Sequence, residues 1–216
     1  MLNIGVLVSG SGTNLQAIID AIEAKRLDAK IAVVISNKPD AFALTRAEKH
    51  GIDTRVIVKD AFPDRETFDA ELVRVLNEHK VELVALAGFL RILTPVFTRA
   101  FPMRIMNIHP SLLPSFTGLD VQRKAIEYGV KFSGCTVHFV DEGLDTGPII
   151  MQAVVPVTAN DTTETLAKRI LEEEHKIYPE AIRLYAEGKF KILGRRVLSA
   201  ESGTVEASLE NPPIKK

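Results

Sequence analysis

The chain has 216 residues, 46% of them apolar and 25% charged, with a formal net charge of -1; that suffices for one α/β domain with a sizeable core and excludes a basic field for nucleic acid or a polybasic membrane surface. The one cysteine, Cys135, closes no internal disulfide, and the longest apolar stretch, around Val81 to Leu90, is broken by Glu82 and falls far short of the ~20 residues that span a bilayer. No basic, cleavable leader opens the chain, so a cytoplasmic protein is expected.

Asn3 to Val8 is a short, almost wholly apolar run of the kind buried on both faces of a parallel sheet. Ser9-Gly10-Ser11-Gly12-Thr13-Asn14 follows, then a helix-period segment from Leu15 to Lys25. Strand, glycine turn and helix start make half of a βαβ unit. Thr13 or Asn14 is the expected N-cap. Glycines let the backbone approach a ligand closely, and a helix N-terminus favours an anion. The third glycine of the dinucleotide fingerprint is missing, since Leu15 stands there. The next strand, Ile31 to Ile35, ends in Ser36-Asn37 with no acid for a ribose diol. No Gly-Lys-Ser/Thr follows either, which removes the Walker loop. A terminal phosphate monoester is the better match, with a ligand-free tight turn as the alternative.

Ala41 to His50 reads as a helix closed by Gly51, with His50 complementing the dipole at its end. Thr54 to Val58 reads as a strand, and Asp64 to His79 as an amphipathic helix burying Phe68, Leu72, Val75 and Leu76. Arg65, in its first turn, opposes the helix dipole; it is a surface arginine or an anion clamp. Val81 to Ala87 is a buried strand that runs into the apolar turn Gly88-Phe89-Leu90-Arg91-Ile92-Leu93. This turn is core or the wall of a pocket for a flat ring. Thr94-Pro95 starts a helix.

The stretch Arg104 to Pro114 reads as a strand that stops abruptly. Asn107 and His109 alternate onto the same face. Pro110, with Pro114 soon after, ends the strand at His109. An amide and an imidazole then stand side by side at the carboxyl end of a strand, where open α/β sheets bind their ligands. The pair offers a donor to a developing oxyanion and a proton carrier near neutral pH; capping of a turn is the plainer alternative.

Ser115 to Gly118 is expected to be a mobile loop, and Val121 to Tyr128 a helix closed by Gly129. Ser133 to Val140 and Ile149 to Val157 then read as strands with no helix between them. Their link, Asp141 to Pro148, is a plain turn or an acid-bearing loop leaning over the Asn107–His109 strand. His138 reads as a structural histidine and Cys135 as a small core residue. Asp161 to Glu187 is a long helix capped by Asp161 or Thr162. Its run Glu172-Glu173-Glu174-His175 is a solvated face or reaches the site. Lys189 to Leu193 reads as a last strand, the tail from Arg195 is poorly patterned, and 211–216 is expected to be disordered. No histidine or cysteine spacing suits a metal. The expected fold is α/β and Rossmann-like: a mostly parallel twisted sheet flanked by helices, with a C-terminal antiparallel strand pair and a long helix. One domain over 1–194 and a C-terminal extension over 195–216 are expected.

Four motifs occur in one order: Ser-Gly-Ser-Gly-Thr-Asn-Leu-Gln from Ser9, Ala-Gly-Phe-Leu-Arg-Ile-Leu from Ala87, Asn-Ile-His-Pro-Ser-Leu-Leu-Pro from Asn107, and Asp-x-x-x-Asp-x-Gly-Pro from Asp141. In motif and spacing the chain resembles the folate-dependent formyltransferases, from about Asn3 to about Leu193. The Gly-Thr-Asn loop is similar to that of the glycinamide ribonucleotide branch. The deformylase branch would add an N-terminal regulatory domain and the methionyl-tRNA branch a C-terminal one, and neither is expected in a chain of this length. The resemblance implies transfer of the formyl group of 10-formyltetrahydrofolate to the amine of glycinamide ribonucleotide in de novo purine synthesis, without a metal. It implies that Gly12, Thr13 and Asn14 hold the phosphate and Glu174 the ribose hydroxyls. Arg65, Leu90, Arg91, Ile92, Leu93, Val140 and Asp141 would serve the folate pocket. Asn107, His109 and Asp145 would be catalytic, with Asp145 holding and polarising His109. The implied partners are small molecules, not nucleic acid or membrane; a homodimer is left open. One departure is Thr117-Gly118, where the family usually has Pro-Gly after the loop's aromatic, which leaves the loop's conformation open. A hydrolase that activates water and releases formate is the alternative chemistry, against which the phosphate loop argues.

Overall fold

The computed structural model describes residues 1–199, 209 and 211. The strands are β1 (Leu2–Val8), β2 (Ala29–Ser36), β3 (Thr54–Val56), β4 (Leu83–Leu86), β5 (Ile105–His109), β6 (Phe132–Phe139), β7 (Ile149–Pro156), β8 (Phe190–Leu193) and β9 (Arg196–Ser199). They form one sheet in the order β3-β2-β1-β4-β5-β6-β7-β9-β8. The helices are α1 (Thr13–Glu23), α2 (Phe42–Lys49), α3 (Arg65–Glu78), α4 (Pro95–Ala100), α5 (Val121–Tyr128) and α6 (Thr163–Ala186). β1 to β5 pair in parallel, β6 and β7 continue antiparallel, and β8 and β9 form an antiparallel hairpin that meets β7 at Ile149–Arg196. Among the described residues, no helix is long and apolar enough to cross a membrane.

Strand alternation divides the core in two. Ile4, Val6 and Val8 of β1 face Leu15 and Ile18 of α1 and Ile170 and Tyr178 of α6. Leu7 faces the other way, onto Phe68, Leu72 and Leu76 of α3 and Phe97 of α4. Those three α3 side chains are fully buried, and each contributes about 1.5–3 kcal/mol. Gly5 also lies on that face, where a Cβ would collide with the Leu76 side chain.

The chain winds from β1 outward to β3, then returns across β1 to form β4 on its other side. This reversal opens a crevice beyond the carboxyl ends of β1 and β4, the usual ligand position in such sheets. β5 ends at His109, as Pro110 requires. Asp64 caps α3 by accepting the Thr67 N–H at 2.7 Å. Thr162 caps α6 in a reciprocal pair with Thr165, while Asp161 pairs with Arg169 at 2.8 Å.

Three local expectations are corrected. The N-cap of α1 is Gly12, in the left-handed region at φ 72, and no side chain caps that helix; the Asn14 amide is used elsewhere. β3 stops at Val56, because Val58 leads into a short 3-10 turn over Lys59–Ala61. Arg196–Ser199, read as unpatterned tail, is strand β9. It follows β8 through Gly194-Arg195, with Gly194 at φ 59, the glycine-first turn that tight hairpins favour. The domain boundary expected after 194 falls within this hairpin. The disorder expected over 211–216 lies outside the described residues except at Asn211, whose amide donates to the Lys131 and Val157 carbonyls.

Candidate active site

A cavity of ≈ 850 Å³ opens at the crevice. Every residue singled out above for a site role lines it except Gly12 and Thr13. These two form the start of α1, which Asn14 continues into the cavity wall.

β5 and β6 build the polar centre. Their antiparallel register sets Asn107 opposite His138 and His109 opposite Thr136. His138 is 2% exposed, and burial pushes its pKa down, so it stays neutral. Its Nδ1 lies 2.8 Å from the Phe139 carbonyl, which can only accept, so the proton is on Nδ1. The bare Nε2 lies 3.2 Å from Asn107 Nδ2 and accepts one of its amide hydrogens. This fixes the Asn107 amide with nitrogen inward and leaves its second N–H for the cavity. The structural role read for His138 therefore includes orienting Asn107. The two residues lie 31 positions apart, and only the sheet register brings them together.

Asp145 comes from the loop between β6 and β7. It is nearly buried, with φ 54. Oδ2 accepts the Gly118 N–H at 2.9 Å and stands 3.6 Å from His109 Nδ1; Oδ1 stands 3.8 Å from His138 Nε2. At these separations Asp145 faces both imidazoles as a charge, not as a hydrogen-bond partner. His109 Nε2 donates to the Phe116 carbonyl at 3.0 Å. Asp141 braces the same loop, accepting from the Gly143 N–H and the Thr146 hydroxyl at 3.0 and 2.6 Å. Val140 joins it to β5 by donating to the Ile105 carbonyl at 2.9 Å.

The turn after β4 forms the apolar wall. α3 holds it at two points: Arg65 Nη2 donates to the Ile92 carbonyl at 2.6 Å, and buried Asp69 accepts the Thr94 N–H at 2.6 Å. Burial raises the Asp69 carboxyl pKa, against the pull of that N–H. Arg91 lies over the Phe68 ring with its guanidinium carbon 4.3 Å from the centroid. Leu93 is buried, whereas Leu90 and Ile92 are 67% and 55% exposed. These uncovered apolar side chains suit a flat ring. Lys59 joins Arg65 and Arg91 in the cavity lining, a third cation that the sequence pattern did not mark.

At the other end, Glu174 of α6 is 7% exposed, and burial raises its pKa. Its Oε2 accepts the Asn14 amide at 2.7 Å. Asn14 is 8% exposed, and its Oδ1 has no protein partner. Beneath the site the Tyr178 hydroxyl lies 2.9 and 3.1 Å from the Met106 and Leu86 carbonyls. Cys135 is buried on the opposite face of β6 with its pKa pushed up to about 12, chiefly by burial, so it is no nucleophile. Among the described residues, no group of three or more His, Cys, Asp or Glu side chains is placed to hold a metal.

An open α/β sheet, a cleft at its strand-order reversal and an amide–imidazole–carboxylate cluster define a Rossmann-like group-transfer enzyme. The chain belongs to the formyl transferase family, whose model matches residues 2–182. It is 46% identical over 191 residues to a phosphoribosylglycinamide formyltransferase of Escherichia coli K12, covering 88% of this chain and 90% of that protein. It is 52% identical over 190 residues to the trifunctional purine biosynthetic protein adenosine-3 of Drosophila pseudoobscura pseudoobscura, covering 87% of this chain but only 14% of that much longer relative. Among solved structures, glycinamide ribonucleotide transformylase 1 from Symbiobacterium toebii matches with a TM-score of 0.91 and 56% identity, over 92% of this chain and 94% of that one.

Proposed function

We propose that the chain transfers the formyl group of 10-formyltetrahydrofolate to the amine of glycinamide ribonucleotide, giving formylglycinamide ribonucleotide and tetrahydrofolate in purine biosynthesis. One observation carries this reading. The Asn107–His109–Asp145 cluster lies in a single cavity between an apolar, cation-bordered turn and a buried acid beside a glycine loop. The two ends match the two substrates in chemistry. Leu90 and Ile92 offer apolar contact for a ring, and Arg65 and Lys59 offer charge for an anionic tail. Glu174 offers an acceptor for sugar hydroxyls, and the uncapped start of α1 offers N–H groups for phosphate.

The folate cosubstrate supplies an activated formyl group. The free Asn107 N–H donates to the formyl oxygen as the amine attacks and that oxygen becomes negative. His109 Nε2–H donates to the same oxygen once it leaves the Phe116 carbonyl. Each such donor is worth about 10²–10³ in turnover. Asp145 stabilises positive charge on His109 when the attacking amine releases its proton, and it relays protons through water toward the departing nitrogen. General acid–base assistance of this kind contributes about 10²–10⁴. We further read the protein as cytoplasmic, acting on small molecules alone.

The test is tetrahydrofolate release from 10-formyltetrahydrofolate with and without glycinamide ribonucleotide. Release that depends on the acceptor, matched by formylated product, supports the transferase. Equal release in both, with formate appearing, would make the chain a hydrolase.

A further inference from the structure

We infer that Arg46, which lies outside the cavity and which no sequence motif marked, is the positioning residue that sets the peptide orientation of the phosphate loop. This rests on the phosphate role proposed for Gly12, Thr13 and Asn14. The loop packs along α2 at three successive points. The Gly10 carbonyl accepts the Ala43 N–H at 3.1 Å. The Ser11 carbonyl accepts Arg46 Nε–H at 2.9 Å. Gly12, at φ 72, presses so closely on α2 that an added Cβ would lie 2.6 Å from Ala43 Cβ.

In a trans peptide the C=O and the following N–H point in opposite directions. Turning the Gly10 and Ser11 carbonyls toward α2 therefore turns the Ser11 and Gly12 N–H groups away from it. These two donors precede the first turn of α1, which has neither a side-chain cap nor an acidic residue. Successive backbone N–H groups running into an uncapped helix start form an anion-binding concavity. Asn14 in that turn is the second sign of a ligand: it is nine-tenths buried, lines the cavity and leaves Oδ1 without a protein partner, an acceptor that suits a hydroxyl of the phosphate-bearing ligand and not the phosphate itself. Its amide is committed to Glu174, so the phosphate depends mainly on backbone donors.

Arg46 is held for this task. Its Nη1 donates to Gln16 Oε1 on α1 at 3.2 Å, and its guanidinium carbon lies 4.9 Å from the centre of the Phe42 ring. It thus ties α2, the loop and α1 into one unit. Turned the other way, the Ser11–Gly12 peptide would present a carbonyl to the phosphate, replacing attraction by repulsion.

Side-chain topology supplies the test. Gln carries its amide nitrogen at the same bond count from Cα as Arg Nε, so Arg46→Gln keeps the donor to Ser11 and removes the charge. Lys has a methylene there, so Arg46→Lys keeps the charge and loses that donor. Steady-state kinetics would be measured with each substrate varied, alongside competition by inorganic phosphate. Arg46→Ala and Arg46→Lys are expected to raise the KM for glycinamide ribonucleotide and the phosphate inhibition constant about tenfold. The folate KM and saturated kcat should stay within about twofold, and Arg46→Gln should recover most of the loss. Wild-type constants in Arg46→Lys with loss in Arg46→Gln would overturn positioning in favour of bulk charge. Parallel increases in both KM values would overturn it in favour of general destabilisation. The Gly12 amide resonance gives a readout without substrate: it should shift in Arg46→Ala and Arg46→Lys but not in Arg46→Gln. If it does so while the wild type neither binds phosphate nor uses the ribonucleotide, positioning stands and the phosphate reading falls. A Gly12 resonance equally displaced in all three variants, or in none, overturns positioning.

Discussion

Replacing Asn107 with alanine separates catalysis from support in one residue. In the folded protein one amide hydrogen is committed to His138 Nε2 at 3.2 Å, and the other faces the cavity. On the proposed mechanism, loss of the second removes a donor to the developing oxyanion, a cost of about 10²–10³ in kcat or roughly 2.7–4 kcal/mol of barrier. Loss of the first leaves the bare nitrogen of a 2% exposed imidazole without a donor, which costs about 1–3 kcal/mol of stability. The two effects are read separately, by tetrahydrofolate formation at saturating substrates and by denaturant unfolding. Asn107→Asp keeps the shape but supplies only acceptors at neutral pH, so it should lose at least as much activity as alanine. A folded Asn107→Ala protein that retains more than about a tenth of wild-type kcat would refute the donor assignment. Unchanged stability would refute the orienting hydrogen bond that Asn107 donates to His138.

Asp145→Asn keeps the size of the side chain but removes the charge 3.6 Å from His109; kcat should fall by about 10²–10⁴ with little change in either KM, and retained turnover would reject the proton-relay role. Burial raises the Glu174 pKa above its unfolded value, so the folded state keeps a proton the unfolded chain has released, and stability falls as pH rises through that window. Glu174→Gln should therefore unfold at a higher temperature than wild type at about pH 8 and lose that advantage below about pH 4, where both forms of the glutamate are protonated; a pH-independent difference would contradict this. Gly12→Ala places a Cβ 2.6 Å from Ala43 Cβ at φ 72. It should lose at least the ~1–2 kcal/mol of left-handed strain in denaturant unfolding and bind the ribonucleotide more weakly. Wild-type stability would mean the loop does not pack on α2 as described.

What the sequence made legible follows from its periodicities. Period-two alternation placed Asn107 and His109 on one face, and Pro110 marked the strand's end, so the placement of two of the three clustered side chains was readable from a few residues. The Asp145 loop was readable because two strands followed each other without a helix. His138 was not, because its role depends on the β5–β6 register, and a lone histidine in a strand has no local mark of its neighbour. Arg46 was hidden for a related reason. Its partner is a backbone carbonyl 35 residues earlier, and carbonyls leave no signature in sequence. The N-cap of α1 failed because capping preference is local, whereas the contact with Glu174 lies 160 residues away and claims the Asn14 amide. β9 is the reverse case: Gly194-Arg195 was a fair hairpin turn, but a four-residue strand with alternate positions exposed carries little apolar pattern.

The loop between β5 and α5 engages two of the groups proposed to be catalytic. The Phe116 carbonyl accepts a hydrogen bond from His109 Nε2–H, and the Gly118 N–H donates to Asp145 Oδ2. A carbonyl oxygen on Nε2 is the same kind of acceptor as the formyl oxygen, so loop and substrate compete for one donor. The arrangement requires left-handed backbone at Phe116, Gly118 and Asp120, with φ 52, 78 and 56. Glycine tolerates this and aspartate adopts it readily, so Phe116 carries the main strain, about 1–2 kcal/mol. Against that stand one hydrogen bond of about 0.5–1.5 kcal/mol and one to a carboxylate of about 1.5–3 kcal/mol. The balance favours the engaged loop by about 0–3 kcal/mol, so little free energy holds His109 in it. A formyl oxygen that replaces the hydrogen bond the loop gives up would supply that difference.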